Sequence, residues 1–192
     1  TTLFRSVDRF VEQKMPYLRS LDSCVVVNVA GSTEEEYIEV MGRLEGVDGI
    51  WGYEVNISCP NVKHGGLAFG TDPHQVQSLT NAVRQLTTRP VIIKLTPNVT
   101  DITVVARAAQ DGGADAISCI NTLVGMVVDV SKKRAVLPMK TGGLSGPAIR
   151  PVGVALTYRV SRAVDIPVIG IGGIMSADDA LQYLLAGAVA VQ

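Results

Sequence analysis

The sequence predicts an α/β protein made of parallel strand–helix units, a (β/α)8 barrel that is incomplete in this chain. Three observations lead there. Short apolar runs rich in valine and isoleucine recur along the 192 residues, apolar on both faces as parallel strands covered on both sides are. Helical patterns alternate with them, the mark of βα units. Polar or glycine residues stand at the C-terminal end of nearly every run: Asn28, Asn56, Lys94, Asn121 and Gly172. A barrel assembles its site from many strand ends, whereas an open doubly wound sheet gathers ligand groups at one switch point. Six runs are readable in the sequence, against the eight strands and about 250 residues of a whole barrel. The chain also opens on a helix and stops on a strand. The expectation is a single incomplete barrel domain over residues 1–192, with about two N-terminal strands and the C-terminal closing segment missing.

Each element has its own signal. TTLFRSVDRF is amphipathic and reads as a helix rather than a signal peptide. The first strand is CVVVNVAG (24–31), followed by Ser32 and Glu35 as a capping box for a helix carrying Tyr37, Met41 and Leu44. In the next strand, GIWGYEVNIS (49–58), alternation puts Glu54, Asn56 and Ser58 on one side and Tyr53, Val55 and Ile57 on the other. Asp72 before Pro73 supplies an N-cap and a first-turn proline to a helix whose stripe is Val76, Leu79, Val83 and Leu86. PVIIKLTPN (90–98) offers Ile92, Lys94 and Thr96 with one parity, and Asp101 then starts a helix with Ile102, Val105, Ala106 and Ala109. DAISCIN (115–121) is a strand, and a helix runs from about Pro147 to Ala163. PVIGIGG (167–173) precedes a helix capped by Ser176 with Leu181, Leu184 and Leu185, and GAVAVQ (187–192) is the last strand.

Composition narrows the partners. With 17 basic and 18 acidic residues, a formal net charge of −1 and no run of either sign, the chain carries neither a nucleic-acid footprint nor a polybasic membrane patch. No apolar stretch approaches the roughly 20 residues needed to span a bilayer. A small-molecule partner in the cytoplasm is the expectation. The three cysteines, Cys24, Cys59 and Cys119, are odd in number, far apart and without CxxC spacing, which fits free thiols better than a disulfide framework or a metal site.

The chemistry-bearing residues gather at strand ends. Lys94 is a lone charge in an apolar strand and needs an anionic partner, either Glu54 or a bound ligand. Cys59 follows its strand directly and opens a loop containing Gly65, Gly66 and Gly70, long enough to act as a lid. Cys24 and Cys119 instead lie among apolar residues inside elements, where a cysteine packs. Position alone leaves Cys59 open between packing and service as a nucleophile or base. His64 in the same loop is either a base or simply solvated. Two glycine-rich stretches, TGGLSGPA (141–148) and GIGG (170–173), each precede a helix and offer free N–H groups for a phosphate, or are plain flexible turns.

NISCPNVKHGGLAFGTDP, KLTPNVTDI, INTLVGMVVD, TGGLSGPAIRP and GIGGI, in this order and spacing, resemble the class 1 dihydroorotate dehydrogenases, specifically the type 1B catalytic subunit that works with NAD. The similarity runs from Asn28 to Gln192. It implies an FMN-binding (β/α)8 TIM barrel, a flavoprotein oxidoreductase that oxidises (S)-dihydroorotate to orotate in de novo pyrimidine biosynthesis. The resemblance implies that Cys59 is the base removing a proton from C5 while hydride passes from C6 to the flavin. It implies FMN contacts from Asn28, Asn56, Lys94, Ile120, Gly146, Gly172 and Gly173, with Lys94 stabilising the negative charge of reduced flavin. Asn56, Asn61, Asn121 and Thr122 are implied to bind substrate. FAD and a [2Fe–2S] cluster are expected on a separate electron-transfer subunit, within a homodimer or heterotetramer. The family's first two strands, with a substrate-binding lysine, and its last phosphate-binding turn are absent from this sequence, so the 192 residues alone are expected to bind FMN poorly and turn over little. The nearest alternative is the flavin barrel of dihydropyrimidine dehydrogenase, acting on uracil or thymine, whose loop reads closer to SCPH; a non-catalytic barrel fragment is the other.

Overall fold

The computed structural model describes residues 2–58, 60–61 and 67–192, with side chains for 6–58 and 69–192. In chain order its elements are α1 (Thr2–Gln13), α2 (Met15–Arg19), β1 (Val25–Val29), α3 (Glu34–Glu45), β2 (Ile50–Asn56), β3 (Pro60–Asn61), β4 (Leu67–Ala68), α4 (Pro73–Leu86), β5 (Val91–Leu95) and α5 (Ile102–Asp111). Then follow β6 (Ala116–Cys119), β7 (Leu123–Met126), β8 (Val128–Asp129), β9 (Arg134–Ala135), β10 (Thr141–Leu144), α6 (Arg150–Ser161), β11 (Val168–Gly170), α7 (Ala177–Leu185) and β12 (Ala190–Val191). No helix among the described residues is long and apolar enough to cross a membrane.

Six strands form one sheet in the order β1-β2-β5-β6-β11-β12, and every pairing in it is parallel. Each strand therefore adds beside the one before it, and the order never reverses. A doubly wound sheet needs such a reversal to place helices on both faces; a singly wound wall, with helices on one face only, is the barrel arrangement. The helix-facing side carries Tyr53, Val55, Ile57, Val91, Ile93, Leu95, Ile117 and Cys119, all fully buried in a core shared with Tyr37, Leu79 and Ile102. The opposite side carries Asn28, Glu54, Lys94 and Ser118, in the parity that strand alternation predicts.

Local rules explain most element boundaries. The side chains of Asp72, Asp101 and Ser176 accept from His74, Thr103 and Asp179 N–H groups and start α4, α5 and α7 as expected. At α3 the cap lies one residue later than the sequence suggests. Thr33 is extended and accepts from the Glu36 N–H, while Glu36 reaches back to the Ser32 N–H at 2.7 Å, so that Glu34, Glu35 and Glu36 all fall in the first turn, against the positive end of the helix dipole.

Three further expectations are corrected. Cys24 is exposed, because it precedes β1 rather than belonging to it; Cys119, at the end of β6, is buried. Leu181, Leu184 and Leu185 are exposed on α7, whose inward residues are Asp179 and Tyr183, and the helix is anchored through these two. Residues 123–144, not read as strands in the sequence, form an arm of two antiparallel pairs, β7 with β10 and β8 with β9. Its valines and methionines, Val124, Met126, Val130 and Met139 among them, lie exposed.

Candidate active site

Glu54 is the centre of the inward face. Its carboxylate is 4% exposed and accepts from three neighbouring strands: Asn28 Nδ2 of β1 at 2.5 Å, Lys94 Nζ of β5 at 3.2 Å and Ser118 Oγ of β6 at 2.7 Å. Burying a carboxylate is costly unless it is paired and hydrogen-bonded, and here one cation and two neutral donors meet both conditions. The Lys94 partner foreseen as either Glu54 or a ligand is Glu54, which takes one of three ammonium donors and leaves the others for a second acceptor. The result is a polar floor with a cation fixed in place by the sheet.

Above it lies a rim of amides. Asn56 ends β2, its carbonyl accepting from Tyr37 Oη at 2.6 Å and its Oδ1 from the Ser58 N–H and Asn121 Nδ2 at 3.1 and 2.9 Å. Asn121 is itself fixed by a main-chain bond to the Leu95 carbonyl at 2.8 Å, and its Oδ1 accepts from the Thr122 N–H at 2.8 Å. Asn56, Asn121 and Thr122 are thus brought together. Ile120 is 1% exposed, with its N–H on the Ile171 carbonyl.

The two glycine loops meet beside this rim. Gly146, Gly172 and Gly173 have φ values of 92°, 121° and 69°, which favour glycine. A Cβ on Gly173 would stand 2.7 Å from the Gly146 carbonyl and 2.9 Å from Arg150 Cβ, whereas one on Gly146 would meet nothing within 4 Å. The loops are held from behind. Arg150 in the first turn of α6 pairs with Asp179 in the first turn of α7, and Tyr183 Oη donates to the Gly172 carbonyl at 2.7 Å. The Met175 N–H on Asp179 holds that carboxyl below its ordinary range, with Ser176 and Arg150 adding to the effect, and burial pushes the Tyr183 hydroxyl up to about 12. An open cradle at Gly146, walled by a second glycine and flanked by the N-termini of α6 and α7, fits a phosphate-bearing group.

Cys59 lies outside the described residues, as do His64, Gly65 and Gly66; of Asn61 only the main chain is described, in β3 paired with β4. The base of their loop is well held. The Gly70 N–H donates to the Ile57 carbonyl at 2.8 Å, and Phe69 packs edge-on against Tyr37 at 5.5 Å between ring centroids. Among the described residues, no cluster of three His, Cys, Asp or Glu residues is placed to hold a metal. Ser118 was missed in the sequence, although its parity with Lys94 in an apolar strand marks it. Asn98, which with Thr96 binds the loop after β5 to the rim, carries no comparable signal.

The dihydroorotate dehydrogenase family model matches residues 5–192. This chain belongs to the dihydroorotate dehydrogenase family. Its relatives in that family include proteins named dihydroorotate dehydrogenase B (NAD(+)), catalytic subunit, from Citrifermentans bemidjiense at 55% identity, Geobacter metallireducens at 54% and Pelobacter propionicus at 53%. Each alignment covers 186 residues, 97% of this chain and 61% of the relative. The chain thus spans about three-fifths of the length of these dihydroorotate dehydrogenases.

Proposed function

We propose that the whole protein is the catalytic subunit of an NAD-linked, cytoplasmic dihydroorotate dehydrogenase, oxidising (S)-dihydroorotate to orotate in pyrimidine biosynthesis. The observation that carries the reading is a cation fixed in a polar floor below two hydrogen-bonded amides, Asn56 and Asn121, next to a glycine cradle, in a chain of this family. The single domain described here is one part of a barrel that the remaining length of the protein completes.

The reaction removes a proton from C5 and a hydride from C6 and leaves a C5=C6 double bond. FMN bound at this site would supply the hydride acceptor. Gly146, Gly172 and Gly173 would hold its phosphate, and Asn28 and Lys94 would contact its ring system. Lys94, held in place by Glu54, would stabilise negative charge on the hydride acceptor; a pre-placed cation needs no reorganisation to do this. Asn56, Asn121 and Thr122, with Asn61, hold the planar anionic pyrimidine, and Cys59 takes the C5 proton. A partner subunit carrying FAD and a [2Fe–2S] cluster would pass the electrons on to NAD.

The test is an assay of the purified full-length protein with its electron-transfer partner. Formation of orotate from dihydroorotate with reduction of NAD, and no turnover of dihydrouracil, is the expected result. Turnover of dihydrouracil in preference to dihydroorotate would replace this reading by the dihydropyrimidine one.

A further inference from the structure

Asn98 sits in the loop between β5 and α5, and its side chain joins three separate pieces of backbone and side chain. Its Nδ2 donates to the Thr122 carbonyl at 3.0 Å and to Thr96 Oγ1 at 3.0 Å, while its Oδ1 accepts from the Val124 N–H at 2.9 Å. Its own N–H donates to the same Thr96 Oγ1 at 3.2 Å. One amide therefore brackets Thr122 and Leu123 from both sides, matching a donor and an acceptor to the two main-chain groups that the turn leaving β6 would otherwise expose. Thr96, 3% exposed just past the end of β5, is the anchor.

We propose that Asn98 is a positioning residue for the substrate, setting the height of the Asn121–Thr122 shelf over the floor. The shelf is held at one end by Asn121 on Asn56 and at the other by Asn98 on Thr122. Between these two clamps Asn121 and Thr122 make one more described bond, from the Thr122 N–H to Asn121 Oδ1, beyond the main-chain tie to Leu95. Without Asn98 the Thr122 end loses its tie to the loop after β5 and can shift together with β7 and its partner β10. A shift of that kind loosens binding of the pyrimidine and leaves proton and hydride removal intact once substrate is seated. The inference rests on the dihydroorotate reading of the site.

The experiment uses the full-length flavoprotein, titrated with orotate while the flavin absorbance is followed, together with kcat and KM for dihydroorotate. Asn98→Ala is expected to weaken orotate and raise KM about tenfold, the effect of losing roughly one to two bridging hydrogen bonds, with kcat within about twofold and flavin content unchanged. Asn98→Asp keeps the acceptor for Val124 and loses the donor to Thr122. Its orotate affinity is expected to fall with Asn98→Ala at neutral pH and to recover as the carboxyl protonates and can donate again, a pH profile the wild type lacks. If Asn98→Ala does not fold, Asn98→Asp carries the test alone. Orotate affinity unchanged in the variants, or kcat falling as far as KM rises, overturns the inference. A wild-type protein that shows no response to orotate fails the substrate reading itself, and the inference with it.

Discussion

The floor and the rim of the site are both polar, yet they are held in different ways. Asn28, Glu54, Lys94 and Ser118 project from four adjacent strands, and the buried Glu54 ties them into one network. Their positions follow from sheet register, which a packed helix layer fixes on the other side. Asn56 is the last residue of β2 and Asn121, Thr122 and Asn98 lie past strand ends, and each is hydrogen-bonded to another member of the group. Charge is thus placed within the sheet's register and the amides at its edge. In the proposed reading the floor serves folding as well as chemistry, and the rim serves recognition.

The largest expected effect lies at Cys59. Cys59→Ser is expected to slow flavin reduction by dihydroorotate about 10²–10⁴-fold with FMN still bound, measured by stopped-flow absorbance; an unchanged rate would show that no loop thiol removes the proton. Lys94→Met probes the floor. It leaves Glu54 buried without a cation, and is expected to cost about 3–5 kcal/mol in chemical denaturation as well as most of the activity. Adding Glu54→Leu to Lys94→Met is expected to recover much of that stability and none of the activity, which separates the structural part of the pair from the catalytic part.

Asn121→Ala probes the rim. It is expected to raise KM for dihydroorotate about tenfold and to change unfolding free energy by less than about 1 kcal/mol. A stability loss as large as that of Lys94→Met would erase the distinction between the two regions. The smallest effect is a control. Burial pushes the Cys119 thiol up to about 12, so at pH 8 it holds almost no thiolate, and iodoacetamide is expected to label exposed Cys24 while sparing Cys119 until the protein unfolds.

How far the sequence revealed these two regions follows from how each is held. Strand alternation assigned Glu54 and Lys94 to one face because a period of two is strict, and the same rule applied to AISCI would have found Ser118. Asp72, Asp101 and Ser176 were legible as caps because each has a short acceptor side chain just before a helical stripe. At Ser32 and Thr33 two such residues stand together, and only the backbone dihedrals of Thr33 decide between them. The α7 leucines repeat at helical spacing, but periodicity does not say which side meets a neighbour. Asn98 was unreadable for a different reason. Its partners Thr122 and Val124 are 24 and 26 residues away and are main-chain groups, which leave no trace in side-chain pattern.

The most direct test of the account is the anaerobic absorption spectrum of the purified full-length protein before and after one equivalent of dihydroorotate. A bound flavin band that bleaches with dihydroorotate, and not with dihydrouracil, is the predicted result. A protein that carries no flavin, or a flavin band that dihydroorotate leaves unchanged, would contradict the assignment of floor and rim to one redox site.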